Sequence, residues 1–199
     1  MKKYVLLLFL VALMPLLAMA QAENYESIKK GENPFMVFVF DKNYNLSIDS
    51  IPHQDYYVIN FPNKTAKELY DMVRSHVVDF YEQPDKVMSG MEGVSIVING
   101  YEDRLVHYYY EKALEYSGSI NYRLQFKFKD GKIRVEIPTI TSFKEYDWST
   151  RLTKTETHPD AIRIKFMMYK DICEPIEERL SILANYMVYG DPNKKNDDW

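Results

Sequence analysis

Cysteine is nearly absent, with Cys173 the only one in 199 residues. No intramolecular disulfide can form, so stability rests on packing even in an oxidising compartment. Excess positive charge is missing too: 25 Lys and Arg stand against 29 Asp and Glu, a formal charge of −4. Nucleic acid and anionic membrane both require a basic footprint, so this balance argues against either as the main partner. Histidine is sparse, at His53, His76, His107 and His158, with no H-E-x-x-H and no cysteine partner. No metal and no cofactor is therefore expected. His76 and Asp79 stand i, i+3 and read as a helix-surface pair rather than half of a metal site. No serine lies in a G-x-S-x-G elbow, and Gly90 to Gly93 precedes a strand, where it offers no helix N-terminus to a phosphate.

Long apolar runs are lacking except at the start of the chain. Met1-Lys2-Lys3 is basic, Tyr4 to Leu17 is almost wholly apolar and broken by Pro15, and Ala18-Met19-Ala20 has the small-x-small spacing of a cleavage site. These three features together are the secretory pattern, and the run is short for a membrane span. A signal peptide over residues 1–20 is expected, with the mature chain starting at Gln21 and exported to the periplasm or cell surface. No stop-transfer charge follows in Gln21 to Glu26, so no stable membrane span remains, and no cysteine follows the site to carry a lipid. Cleavage removes Lys2 and Lys3 and no acidic residue, leaving the chain two charges more negative than −4.

The remainder reads as a polar lead over 21–34, one α+β domain over 35–190 and a loose tail over 191–199. Aromatics are plentiful, 17 Tyr and 10 Phe, and no Pro/Ser/Gly-rich linker divides the chain. Phe35 to Phe40 is a continuous apolar run of strand length, followed by a turn at Asp41-Lys42-Asn43. Tyr56 to Phe61 is a second strand, ended by Pro62. Thr65-Ala66-Lys67-Glu68 is a capping box, and Ala66, Leu69, Tyr70, Val73, Val77, Phe80 and Tyr81 form one helical stripe that stops before Pro84. Lys86 to Gly100 reads as strand, turn and strand, and Leu105 to Tyr116 as a single strand.

From Tyr122 to Pro138 alternation and turn chemistry agree. With Asp130-Gly131 as a two-residue type I′ turn, Lys129 pairs with Lys132, 128 with 133, 126 with 135 and 124 with 137, and every apolar partner falls on one face. Ile162, Ile164, Phe166 and Met168 alternate as a further strand. A last helix enters at Pro175, carries the stripe Ile176, Leu180, Leu183, Ala184, Met187 and Val188, and stops at Gly190 and Pro192. The expected architecture is a curved antiparallel sheet with helices packed on one face.

Two stretches carry a resemblance. Tyr57-Val58-Ile59-Asn60-Phe61-Pro62-Asn63-Lys64-Thr65-Ala66-Lys67-Glu68-Leu69-Tyr70, and Tyr122 to Phe126 with Lys129-Asp130-Gly131-Lys132 and Ile133 to Ile137, are similar to the domain of unknown function 4468 family. Its members are exported Bacteroidetes proteins with a fold like that of the TATA-box-binding protein. The likeness covers roughly Tyr56 to Phe143 and implies a TBP-like fold, an exported location and no catalytic residues to carry over. The TATA-box-binding protein inserts apolar wedges into a DNA minor groove. An acidic, exported chain does not inherit that activity from a shared fold.

Carboxylates are abundant, among them Glu102, Asp103, Glu111, Glu136, Glu145 and Asp147, but the sequence singles out no pair for acid–base work, and no catalytic residue is assigned. Cys173 reads as a small packed side chain. Two features suggest binding. Phe143, Tyr146 and Trp148 crowd a loop between strands, where aromatic faces stack on a sugar or peptide or else close the core. Arg123, Lys127, Lys129, Lys132 and Arg134 alternate onto the outer face of the hairpin as a basic strip, which serves either as solvated edge protection or as a dock for an anionic partner. The favoured function is a non-catalytic module of the cell envelope that binds a ligand, an envelope protein or a glycan, anionic where it meets the strip. The alternative is a hydrolase of envelope glycans or peptides.

Overall fold

The computed structural model describes residues 34–48, 55–110 and 114–191. The expected signal peptide, the polar lead up to residue 33 and the tail from residue 192 lie outside them.

Asp41 starts the first hairpin by accepting from the Asn43 and Asn45 N–H groups at 2.7 and 2.9 Å. It joins β1 (Phe38–Phe40) to β2 (Leu46–Ile48) in a two-stranded sheet separate from the main one. β1 is shorter than the apolar run before the turn. Met36 and Val37 lie before the ladder, their N–H groups donating to Asn185 Oδ1 and Tyr57 Oη at 2.9 and 3.1 Å.

β3 (Tyr56–Asn60) leads into α1 (Ala66–Phe80), where the capping box is formed: Thr65 Oγ1 accepts from Glu68 N–H and Glu68 accepts from Thr65 N–H. Asp130 of the distant hairpin turn adds a further cap, accepting from Ala66 N–H at 2.8 Å. Leu69, Val73 and Val77 are the buried stripe of α1. A single turn, α2 (Pro84–Val87), precedes β4 (Met88–Met91), β5 (Ser95–Tyr110), β6 (Leu114–Lys129), β7 (Lys132–Glu136), β8 (Thr139–Asp147) and β9 (Leu152–Glu156). The chain ends in α3 (Pro159–Met168), a 3₁₀ turn over Lys170–Ile172, and α4 (Cys173–Tyr189).

The main sheet is antiparallel, ordered β3-β7-β6-β5-β4, and β6 is its spine. One edge of β6 pairs with β5 along most of its length. The other edge is shared, Phe126 to Lys129 pairing with β7 and Tyr116 to Arg123 with β8, to which β9 adds. The β6–β7 register is the one that turn and alternation require, with Lys129 opposite Lys132, Phe128 opposite Ile133 and Phe126 opposite Val135. β7 ends at Glu136, so the expected pairing of 124 with 137 lies beyond the ladder. All six apolar residues expected in the last helical stripe are 0% exposed. They pack with the α1 stripe over one face of the sheet, and among the described residues no helix covers the other, here called the bare face.

Three expectations change. Leu105 to Tyr116 is not one strand but the end of β5 and the start of β6, joined through residues 111–113, which lie outside the described residues. Ile162 to Met168 is helical: His158 caps Asp160 N–H, Pro159 opens the helix, and only the i, i+4 pair Ile162 and Phe166 is buried, while Ile164 and Met168 are exposed. Two apolar periods fit those four residues, and Pro159 at a first helical turn decides between them. The Phe143 to Trp148 segment is mostly strand β8 rather than a loop.

A polar pocket on the bare face of the sheet

The register of β6 with β8 puts Ser117 opposite Tyr146 and Ser119 opposite Lys144, all on the bare face. On β5 the register slips between Glu102 and Val106, and Arg104 takes φ +46 there. This bulge brings Asp103 and Arg104 to the same place. With Trp148 and Thr153 these residues line a cavity of about 430 Å³.

Its aromatic end is held from below. Trp148 N–H donates to Glu115 O at 3.1 Å, and Asp147 braces the following turn by accepting from Ser149 Oγ at 2.6 Å and Ser149 N–H at 2.8 Å. The Ser149 hydroxyl is the main reason the Asp147 carboxyl sits below its ordinary value. Tyr146 and Trp148 meet edge to face, centroids 4.9 Å apart at 86°, and Trp148 remains 42% exposed.

The other end is charged. Asp103 accepts from Tyr101 Oη at 3.0 Å, Ser119 Oγ at 3.1 Å and Arg104 Nε at 3.2 Å. The Tyr101 hydrogen bond leads the effects that hold its carboxyl below the usual range, so Asp103 is ionised at neutral pH. Lys144 lies beside it, exposed and with no ion pair among the described residues. At the aromatic end Ser117 is 1% exposed, and its Oγ has no hydrogen-bond partner among the described residues. Burying such a hydroxyl costs about 1–3 kcal/mol. A fold under no other demand would place alanine there.

Of the residues named from the sequence, Tyr146 and Trp148 line this pocket and Phe143 does not. Phe143 is 0% exposed on the helix-covered face, edge-on to Phe166 at 5.7 Å, and is core. The basic strip does share the bare face. Lys127 lies eight residues along β6 from Ser119, about 27 Å at strand rise. The strip is also partly neutralised: Glu136 holds Lys127 at 2.8 Å and Arg134 at 2.9 Å, and Arg134 lies 3.7 Å over the Tyr56 ring. Burial pushes the Glu136 carboxyl up, but the Lys127 and Arg134 hydrogen bonds outweigh it and keep it ionised. Arg123, Lys129 and Lys132 have no ion pair among the described residues.

Sequence reasoning missed Asp103, Arg104, Ser117, Ser119, Lys144 and Thr153. Tyr116-Ser117-Gly118-Ser119-Ile120 was a usable signal, since small polar residues alternating with apolar ones inside a core strand mark a face with special demands. The bulge that recruits Asp103 and Arg104 left no such mark.

Elsewhere, Glu145 binds Lys165 at 2.7 and 3.0 Å and the Tyr108 hydroxyl. Burial first, then this carboxylate, raise the Tyr108 phenol. The cluster sits on the helix-covered face and fastens α3 to β8. Cys173 is buried, Sγ–H toward Phe166 O, with its thiol pushed up to about 12 by burial. A groove of about 350 Å³ between the β1–β2 hairpin, β8 and α3 is lined mainly by apolar side chains, and the charge at its rim, Arg163, is paired with Asp160 at 2.9 Å. Among the described residues no cluster of His, Cys, Asp and Glu fits a metal, and no helix is long and apolar enough to cross a membrane.

Residues 56–143 match the family model of DUF4468, a domain of unknown function with a TBP-like fold. The mixed α+β architecture, a large antiparallel sheet with helices, agrees with that description. The DUF4468 segment runs from β3 to the middle of β8, so it contains Asp103, Arg104, Ser117 and Ser119. It stops before Lys144, Tyr146, Trp148 and Thr153. The pocket is thus half inside the matched domain and half built by the end of β8, the turn after it and β9. No curated protein and no solved structure matches the chain.

Proposed function

We propose that this chain is an exported, non-catalytic module of the cell envelope that binds a saccharide in the bare-face pocket. The observation that carries the proposal is the combination, in one cavity, of an aromatic pair with Trp148 exposed, a buried hydroxyl without a partner among the described residues, and a single ionised carboxylate. A sugar ring offers an apolar C–H face to Trp148 and hydroxyls to Asp103, Lys144 and Ser117, which is the mixture of apolar wall and few placed polar groups that ligand sites use. The basic n-region, apolar stretch and Ala18-Met19-Ala20 support export.

Hydrolysis of glycans requires two carboxylic groups at a set separation, one of them protonated. Among the described residues Asp103 is the only carboxylate lining the pocket, and its neighbours favour the ionised form. This favours binding without turnover.

The test is an isothermal titration of the mature chain with envelope-derived oligosaccharides, with product analysis of the saccharide afterwards. Binding that Trp148→Ala weakens, with the saccharide recovered intact, supports the proposal. Binding indifferent to Trp148→Ala, or release of shortened saccharide, overturns it.

A further inference from the structure

We infer that the saccharide is a carboxylated one and that Lys144 is the residue that selects it. The inference rests on the reading of the pocket as a saccharide site and adds the ligand's charge. Four lysines are ion-paired among the described residues: Lys67 with Asp71 and Glu92, Lys127 with Glu136, Lys154 with Glu156, Lys165 with Glu145. Lys144 is different, because its cross-strand neighbours are the uncharged Ser119 and Thr155. Arg104 and Asp103 cancel each other at 3.2 Å. Among the described residues the pocket therefore carries one uncompensated positive charge, on Lys144.

The geometry divides the cavity by function. Ser117 and Ser119 are two residues apart on one face of β6, about 7 Å at strand rise. Tyr146 and Trp148 stand over the Ser117 end, and Lys144 and Asp103 over the Ser119 end. A hexose ring on the aromatic end places its exocyclic carbon toward the charged end. A carboxylate there meets the Lys144 ammonium, while ring hydroxyls donate to the ionised Asp103. A single ammonium matches one negative charge; a phosphate dianion calls for several cations or a row of free N–H groups, and the described residues of the cavity offer neither.

Isothermal titration of the mature chain tests this with tetrasaccharides of galacturonate, glucuronate and mannuronate, a muramic-acid-containing disaccharide, the carboxyl-reduced neutral form of each, and a glutamate-rich peptide. The expected result is that at least one carboxylated saccharide binds about tenfold more tightly than its neutral form, in a salt-sensitive manner. Lys144→Gln, an exposed change that leaves the melting temperature in place, weakens the charged form more than the neutral one and so removes that difference. Trp148→Ala weakens both. Equal binding of charged and neutral forms, or discrimination that survives Lys144→Gln, overturns the inference and leaves the saccharide reading intact. No binding by any saccharide, or binding by the peptide alone, overturns both.

Discussion

Replacing Ser117 with alanine removes one oxygen, and the structure fixes the sign of the effect. The Oγ is shut off from water and has no partner among the described residues, while the strand around it is fully laddered between β5 and β8. An unsatisfied buried hydroxyl costs about 1–3 kcal/mol, which alanine recovers. Against this stands the small void left by Oγ, whose lost contacts are worth less than the roughly 0.8 kcal/mol of a methylene. The net is a stabilisation of about 1 kcal/mol, or roughly 2–4 °C in melting temperature for a chain of this size. Urea and thermal unfolding followed by circular dichroism measure it, and saccharide titration of the same variant should show weaker binding. A gain in stability coupled to a loss of binding is the mark of a group kept for its ligand. Destabilisation by about 1 kcal/mol or more would mean that the hydroxyl is satisfied in the folded protein, and the reasoning about the pocket floor would fail with it.

Three further outcomes rest on neighbouring geometry. Gly118→Ala would place a Cβ 2.5 Å from Phe143 and 2.6 Å from Val106, so it should cost about 1–3 kcal/mol by overpacking, read from the urea midpoint. Gly131 has φ +77 with no neighbour nearer than 4.0 Å to an added Cβ, so Gly131→Val should cost about 1–3 kcal/mol by backbone strain alone, and an unchanged melting temperature would contradict it. Cys173 should resist a thiol reagent at pH 8 in the native protein and react fully in guanidinium, because burial lifts its thiol from 9.0 to about 12. Since the folded value lies above the unfolded one, this thiol's contribution to stability is present below pH 9 and is lost as the pH climbs toward 12.

The fold is legible in the sequence where local chemistry and core pattern point the same way. Thr65 with Glu68 announces α1, and Asp130-Gly131 with its flanking alternation sets the β6–β7 register. Ile162 to Met168 misleads because four apolar residues at alternate positions also contain an i, i+4 pair, and Pro159 at the first helical turn, not the alternation, selects the helix. The site is less legible still. Aromatics advertise themselves, so Tyr146 and Trp148 are visible, but so is Phe143, and nothing in the sequence says which face of β8 a helix covers. Asp103 and Arg104 reach the pocket through a bulge, a backbone irregularity set by the mismatch of two long strands. Lys144 looks like any surface lysine until the register shows uncharged residues on either side of it. The basic strip does occupy one face, as its alternation requires, yet Glu136 is more than an acidic neighbour there: it is the counter-ion for both Lys127 and Arg134.

Amide chemical-shift mapping of the mature chain during titration with a bound oligosaccharide tests the central claim most directly. The shifts should gather at Ser117, Ser119, Lys144, Tyr146, Trp148 and Thr153, with the Trp148 indole among the largest, and leave Lys127 to Arg134 unmoved. Shifts centred on the basic strip, or on the apolar groove beside α3, would contradict the assignment of the site.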